Sequence, residues 1–339
     1  MQQRVIRQHF VSAGYQARFT FGGNRDSLFY VFTPGHDQYR EATPESVGFE
    51  RHYHDIDVPG FPPGYLEGFF GQREGSACAL FRALSANPMR SLQTEEERET
   101  LASFMALQAA RVPQAREKYK NLVLDSRRAD AADITTSPQV FSTVMNVARG
   151  YGIEVPPDFR SKLREGLKSG DIYPVVGKTE VSVGILRLTH AIADQLDGMY
   201  YSLLYSEDPD WFICSDYPVA LHYECEIPDE LFERQRNMAW PKLKPFERTI
   251  YMPLAHNVAI MIHRFQDRPT ALRADRHMVA VVNALTISHA ERFICSPTSD
   301  FAFLLPGCKE IGNAADAAVL LRSFGVSKLP SVASRVSHP

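Results

Sequence analysis

Five polar side chains lie on otherwise apolar stretches of the sequence, where a charged or amide group is costly to bury unless it is paired. They are Glu74, Gln108, Arg111, Asp216 and Asn283. Carboxylates can act as general bases or bind divalent metal ions, and an arginine can hold two oxygens of a phosphate or carboxylate at once. The set therefore predicts a polar site inside the protein.

Asp216 directly follows a predicted strand. Residues Trp211–Ser215 are apolar or small, which is typical of a buried strand, and Pro218 keeps Tyr217 out of helical geometry, so the chain turns there. Ligand sites of α/β sheets are commonly built at such strand ends. We therefore place Asp216 in the candidate site. The alternative is a turn carboxylate that caps the backbone after the strand.

Two predicted helices position three of the other residues. From Tyr65 the apolar residues recur with helical period, and Glu74 lies among them. A capping box at Thr94 opens the next helix, whose apolar stripe continues through Gln108 and Arg111. The alternative to a site is a buried ion pair between Glu74 and Arg111 that joins the helices, with Gln108 as a hydrogen-bonded core amide.

Asn283 lies in a third predicted helix, Asp275–Ala290, which is apolar nearly all round and should be buried. Its amide needs a hydrogen-bond partner, either a bound substrate or a core group. Both interpretations stay open at the level of sequence.

The remaining pattern predicts an α+β fold. A small β-rich N-terminal opening contains strands at Leu28–Phe32 and Ser46–Tyr53. A helical middle has helices at 115–125, 137–149 and 157–167, and a further helix covers Val181–Met199. Strands at Tyr201–Tyr205, Thr249–Leu254, Val258–His263 and Arg292–Cys295 predict a mixed β-sheet with flanking helices in the C-terminal half.

The length of 339 residues is enough for an ample core, and we expect one large domain over residues 1–330. Its parts are the β-rich opening at 1–60, the helical part at 61–175 and the mixed-sheet part at 176–330. The tail 331–339 is expected to be disordered. An insertion at 219–248, with a short helix at 229–236, is a candidate lid.

Composition restricts the class of protein. Hydrophobic residues make up 44% and charged residues 23%, as in an average soluble globular protein. The net charge of -3 gives no electrostatic case for or against a nucleic-acid partner, so any basic footprint must be local, and residues 111–128 are the candidate. Five cysteines without a C-x-x-C pair indicate a reduced, cytoplasmic protein. No apolar stretch approaches the ~18 residues of a membrane span.

A series of short motifs occurs in a fixed order along residues 8–296. The motifs are Gln8–Val11 with Phe19, Phe29–Phe32, Glu50–Tyr53, Glu74, the Q-x-x-R-x-P run Gln108–Pro113, the S-D-x-P run Ser215–Pro218, Pro253-Leu254 and Asn283. This pattern resembles the domain-of-unknown-function family four-two-three-eight. The family supplies no activity.

The resemblance adds His9 to the candidate site, because it groups His9 with the five residues already selected. One position departs from the family pattern. Where the family has a proline after the His-aromatic-Val run, this chain has Ser12, so the opening turn is expected to differ.

The leading hypothesis is a metal-dependent hydrolase acting on a phosphate-containing or nucleotide-like small molecule. His9, Glu74 and Asp216 would act as general base or as ligands of Mg²⁺, Mn²⁺ or Zn²⁺. Arg111 would bind the anionic group, and Gln108 and Asn283 would orient the substrate. The alternatives are a non-catalytic binding or interaction module with a structural polar network, and a nuclease or toxin that contacts nucleic acid through residues 111–128.

Overall fold

A computed structural model describes residues 6–33, 36, 39–62, 64–90, 92–207, 209–223, 248–264, 270–304 and 311–314. The helix expected at 229–236, residues 224–247 of the candidate lid and the tail 331–339 lie outside these residues. The architecture is α+β, as predicted, with short strands at the N-terminus and a mixed sheet with flanking helices in the C-terminal half.

The helices in the described residues are α1 (Ala13–Gln16), α2 (Tyr65–Ala86), α3 (Glu95–Arg111), α4 (Pro113–Thr136), α5 (Pro138–Gly150), α6 (Phe159–Ser169), α7 (Lys178–Leu196) and α8 (Arg276–His289). The strands are β1 (Arg7–His9), β2 (Phe29–Phe32), β3 (Arg40–Ala42), β4 (Phe49–Arg51), β5 (Tyr200–Tyr205), β6 (Cys214–Ser215), β7 (Ala220–Tyr223), β8 (Arg248–Ala255), β9 (Val258–His263), β10 (Ala271–Arg273), β11 (Ile294–Ser296), β12 (Phe303–Leu304) and β13 (Ile311–Gly312).

The larger sheet has the order β10-β5-β9-β8-β7 and is mixed, because β10 runs parallel to β5 while the other neighbours are antiparallel. A second sheet of order β3-β2-β11-β6 joins the N-terminal strands to the strand before Asp216. Strand β1 pairs with β4 in a two-stranded ribbon, with His9 opposite Phe49. The N-terminal strands thus lie beside C-terminal ones.

Helix α3 is surrounded by other elements. It contacts α2, α4 and α7, and every residue from Phe104 to Arg111 is buried. Thr94 caps its start by accepting a hydrogen bond from the backbone N–H of Glu97, as the capping box predicts. The C-terminal end of α3 is therefore buried, and the side chains of Gln108 and Arg111 lie in the interior of the protein.

Several predicted boundaries differ from the structure. Helix α4 runs to Thr136 rather than ending near residue 125, because no proline or glycine interrupts it before Ser137 caps the next helix. Of the predicted strand Trp211–Ser215 only Cys214–Ser215 pairs as a strand, and Ser46–Tyr53 reduces to Phe49–Arg51. Helix α8 is buried on one face only, with Arg276 and His277 exposed.

One apolar core contains residues from all three predicted parts, from Phe10 through Phe104 to Cys295. No helix among the described residues has the length and apolar character needed to cross a membrane.

Candidate functional site

An ion pair between α2 and α3 forms the centre of the site. Arg111 Nη1 donates a hydrogen bond to Glu74 Oε1, and the hydroxyl of Ser12 donates to Glu74 Oε2 at 2.8 Å. The side chain of Arg111 is 1% exposed and that of Glu74 is 18% exposed. Both carboxylate oxygens of Glu74 are therefore engaged, one by charge and one by a hydroxyl.

The guanidinium of Arg111 keeps one edge without a partner. Its Nε and Nη2 atoms are buried, and the described part of the chain supplies neither with a hydrogen-bond acceptor. These two atoms are the pair that binds two oxygens of a carboxylate or phosphate side by side. Leaving a buried donor unpaired costs about 1–3 kcal/mol. The Nε–Nη2 edge therefore has the geometry to bind an oxyanion.

Gln108 lies one turn before Arg111 on the same side of α3. It is 0% exposed, and neither its amide nitrogen nor its amide oxygen finds a hydrogen-bond partner among the described residues. A core amide normally uses these groups. Gln108 can therefore both donate to and accept from a ligand held by Arg111.

His9 reaches the site from strand β1. Burial lowers the pKa of His9 below its ordinary value, the carboxylate of Glu45 and a hydrogen bond to the carbonyl of Pro44 oppose the shift, and the charge of Arg111 lowers it further. The imidazole is therefore neutral at pH 7. Its buried Nε2 has no partner in the described structure. We refer to His9, Ser12, Glu74, Gln108 and Arg111 as the Arg111 site.

Two further titratable residues border the Arg111 site and were not selected from the sequence. Burial raises the pKa of Glu67 to about 7, and the charge of Arg111 partly opposes the shift. Glu67 lies two turns before Glu74 on α2, and its Oε1 is 4.0 Å from Nε2 of His54. His54 is 1% exposed and donates from Nε2 to the carbonyl of His9 at 3.2 Å.

Asp216 lies beside this site rather than in it. Its Oδ1 accepts hydrogen bonds from the backbone N–H groups of Glu291 and Phe293, at 2.9 and 3.4 Å, and its Oδ2 accepts one from Gln114 Nε2 at 3.1 Å. Burial raises the pKa of Asp216 to about 6, although these backbone donors pull it down. The carboxylate ties the turn after β6 to the residues before β11, which is the capping role considered as its alternative.

Asn283 is separate from the Arg111 site and uses its amide inside the core. Its Oδ1 accepts from the backbone N–H of Ile213 at 3.1 Å, and its Nδ2 donates to the carbonyls of Trp211 and Ala302, each at 2.9 Å. Both amide protons and one oxygen lone pair are used. Asn283 therefore joins α8 to two extended segments.

The structure thus brings four of the six predicted residues into one group and leaves two outside. His9, Glu74, Gln108 and Arg111 belong together. Across the described residues no three His, Cys, Asp or Glu side chains stand where they could hold one metal ion, so His9, Glu74 and Asp216 do not meet as a metal centre.

The sequence predicts the basic stretch at 111–128 as a candidate contact for nucleic acid. Arg111 is buried, and Lys120, Arg127 and Arg128 form ion pairs with Glu117, Glu180 and Asp125. Arg116 packs over the ring of Tyr53 at 4.3 Å. Most of these cations already have a partner within the protein.

The comparison with protein families confirms the resemblance to the family. A family described as "Protein of unknown function (DUF4238)" matches residues 7–300. The chain belongs to this family. Searches of the curated proteins and of the solved structures return no match. The family match covers both the Arg111 site and the turn that Asp216 stabilises, and it carries no activity of its own.

Proposed function

We propose that the protein is an enzyme, a hydrolase that acts on a phosphate-containing or nucleotide-like small molecule in the Arg111 site. One observation carries the proposal: a buried guanidinium presents its Nε–Nη2 edge without a partner among the described residues, beside the amide of Gln108 and the Nε2 atom of His9, which also find none there. A buried polar group without a hydrogen-bond partner costs free energy. An oxyanion with hydroxyl or ring groups would supply the missing partners.

In the proposed reaction Arg111 binds two phosphoryl oxygens and offsets the charge that develops on them, as arginines do in phosphoryl transfer. The carboxylate of Glu74 orients the guanidinium. Because Ser12 and Arg111 already engage both oxygens of Glu74, we assign the neutralisation of substrate charge to the arginine rather than to a metal ligand set that includes this carboxylate. Gln108 would orient the substrate next to the phosphoryl group.

Proton transfer is assigned to two groups with opposite pKa shifts. His9, neutral because burial lowers its pKa, would take a proton from the attacking water at Nε2. Glu67, with its pKa raised to about 7, is partly protonated at neutral pH and would give a proton to the leaving oxygen. Water adds to phosphorus, the phosphorus–oxygen ester bond breaks, and the products are phosphate and an alcohol.

The test is phosphate release from a panel of nucleotides and small phosphate esters, with the wild type, His9→Asn and Arg111→Lys. We expect turnover of at least one compound and a loss of ~10²-fold or more in kcat/KM for His9→Asn. Lys162→Gln, which changes an exposed cation on α6, is the matched control and should be fully active. Full activity of both site variants, or no turnover of any compound by folded wild type, would overturn the proposal.

A second candidate, a non-catalytic binding module, is favoured by the structural use of Asp216 and Asn283. Asp216 and Asn283 form hydrogen bonds with backbone groups. The Arg111 site therefore contains fewer candidate catalytic side chains than the sequence predicts. In this alternative the same edge of Arg111 binds an oxyanion without turnover. Saturable binding of a phosphate ester together with zero phosphate release would select it.

A further inference from the structure

A second anion-binding feature lies on the other side of the junction between α3 and α4. It is a groove of about 520 Å³ to which the first turns of α4 and α7 both contribute, and we call it the helix-end groove. Its lining includes Gln114, Arg116 and Lys120 of α4, Lys178 of α7, and Arg292. The volume is in the range of small-molecule pockets, ~300–1,000 Å³.

Both helices reach the groove with open N-terminal ends. The N-cap residues Val112 and Gly177 supply no side-chain cap, so neither end is satisfied in the usual way. Helix α4 has no acidic residue in its first turn, and the one in α7, Glu180, is bound to Arg127 at 2.7 Å. Two uncapped helix ends together favour a negative charge between them.

The side chains add a net positive charge to the groove. Its lining contains four cations and three carboxylates, of which Glu50 pairs with Arg292 at 2.7 Å and Glu117 with Lys120 at 3.5 Å. The remaining carboxylate, Glu291, is exposed. This leaves Arg116 and Lys178 without a carboxylate at ion-pair distance among the described residues.

Arg116 makes two contacts within the protein but keeps one nitrogen without an acceptor among the described residues. Its guanidinium lies over the ring of Tyr53 at 4.3 Å, and its Nη2 donates to the hydroxyl of Ser182 at 3.3 Å. Lys178 donates to the carbonyl of His52, which is a neutral partner. The buried Nη1 of Arg116 finds no acceptor in the described part of the chain. A guanidinium stacked on a ring and still short of an acceptor is suited to an added oxyanion.

The amide oxygen of Gln114 indicates that a ligand of the groove would also carry a hydrogen-bond donor. It is 8% exposed, and Asp216 holds its Nε2, so its Oε1 is the remaining polar atom. That oxygen is buried and receives no hydrogen bond from any described residue. Because an amide oxygen only accepts hydrogen bonds, the ligand must donate one. The groove therefore offers an anion site and, within its lining, a site for a hydroxyl group.

We propose that the helix-end groove binds a small phosphorylated molecule with a hydroxyl group, its phosphate between Arg116, Lys178 and the two helix ends and its hydroxyl on Gln114. This site is separate from the Arg111 site and does not depend on the proposed hydrolase activity. The carbonyl of Arg111 accepts a hydrogen bond from Tyr53 at 2.8 Å, so the two sites share the junction between α3 and α4.

The test is calorimetric titration of glycerol 3-phosphate into Arg111→Lys protein, in which the Nε–Nη2 edge is removed and only the groove is intact. We expect saturable binding that weakens about tenfold or more when Arg116→Gln is added, and to a smaller extent with Lys178→Gln. Arg128→Gln, on α4 and paired with Asp125, is the matched control and should leave the affinity unchanged. Sulfate, which has no proton to donate to Gln114, should bind more weakly.

Thermal melts establish whether each variant is folded. If Arg116→Gln does not fold, the result for Lys178→Gln decides the test. Unchanged affinity in both groove variants, or no binding to the Arg111→Lys protein, would overturn the groove as a site. Sulfate binding as tight as glycerol 3-phosphate would overturn the assigned ligand class. Loss of all phosphate binding in Arg111→Lys alone would overturn the groove while leaving the proposed function intact.

Discussion

Two buried polar regions of this protein differ in how completely their groups are paired. Around Asn283 each amide proton has an acceptor and the oxygen has a donor. Around Arg111 two guanidinium nitrogens, both polar atoms of Gln108 and Nε2 of His9 lack partners in the described structure. Gln108 and Asn283 are both 0% exposed, so burial alone does not distinguish an unpaired amide from a paired one. The hydrogen bonds of the individual atoms make the distinction, and we propose that the unpaired group is the functional one.

The largest effect is expected in the paired region. Asn283→Leu removes the partners of three buried backbone groups, the N–H of Ile213 and the carbonyls of Trp211 and Ala302. At about 1–3 kcal/mol for each unsatisfied group, the free energy of unfolding should fall by ~3–5 kcal/mol. Urea denaturation measures this. A loss below ~1 kcal/mol would show that Asn283 is not a structural residue.

The next effect concerns Asp216 and depends on pH. Its folded-state pKa of about 6 lies above the ordinary value of 3.8, so the folded protein binds the proton more tightly than the unfolded chain. The contribution of Asp216 to the free energy of unfolding is fully present below pH 4 and is lost as pH rises to about 6. Relative to Asp216→Asn, the wild type should lose ~1–3 kcal/mol across this window in urea denaturation. If the difference in the free energy of unfolding between the wild type and Asp216→Asn does not change with pH, the pKa of Asp216 is not raised in the folded protein.

The smallest effect, and the counterpart of Asn283, is expected at Gln108. Gln108→Met keeps the approximate volume of the side chain and removes two polar atoms that have no partner among the described residues. The free energy of unfolding should be unchanged or rise by ~1 kcal/mol, because no hydrogen bond is lost and a desolvated amide disappears. The same urea measurement applies. A loss of several kcal/mol would place Gln108 in a structural network and remove the contrast with Asn283.

Much of the fold and part of the site could be predicted from the sequence. Periodicity identified α2, α3 and the strands β8 and β9, since long apolar patterns reflect one buried face. The same reasoning selected Glu74, Gln108 and Arg111 as buried polar groups. It could not separate them from Asn283, because a sequence shows that a polar side chain is buried but not which atoms lie opposite it.

Other features depend on contacts between distant segments. Ser12 appears in the sequence only as a departure from a family proline, yet its hydroxyl engages Glu74, 62 positions away. Gln114 follows a proline at a helix start and gives no sign that it reaches Asp216 across 102 positions. His54 and Glu67 are ordinary polar residues in the sequence. The structure places His54 between the carbonyl of His9 on β1 and the ring of Phe70 on α2.

The most direct test of the Arg111 site is calorimetric titration of inorganic phosphate into two proteins, Arg116→Gln and Arg116→Gln with Arg111→Lys. The first variant removes the helix-end groove from the measurement. A lysine keeps a positive charge beside Glu74 but cannot present the two-nitrogen edge. We predict saturable binding to the first protein and an affinity about tenfold weaker or lower in the second, with both folded. Equal affinities, or no binding to the first protein, would contradict the assignment of Arg111 as an oxyanion receptor.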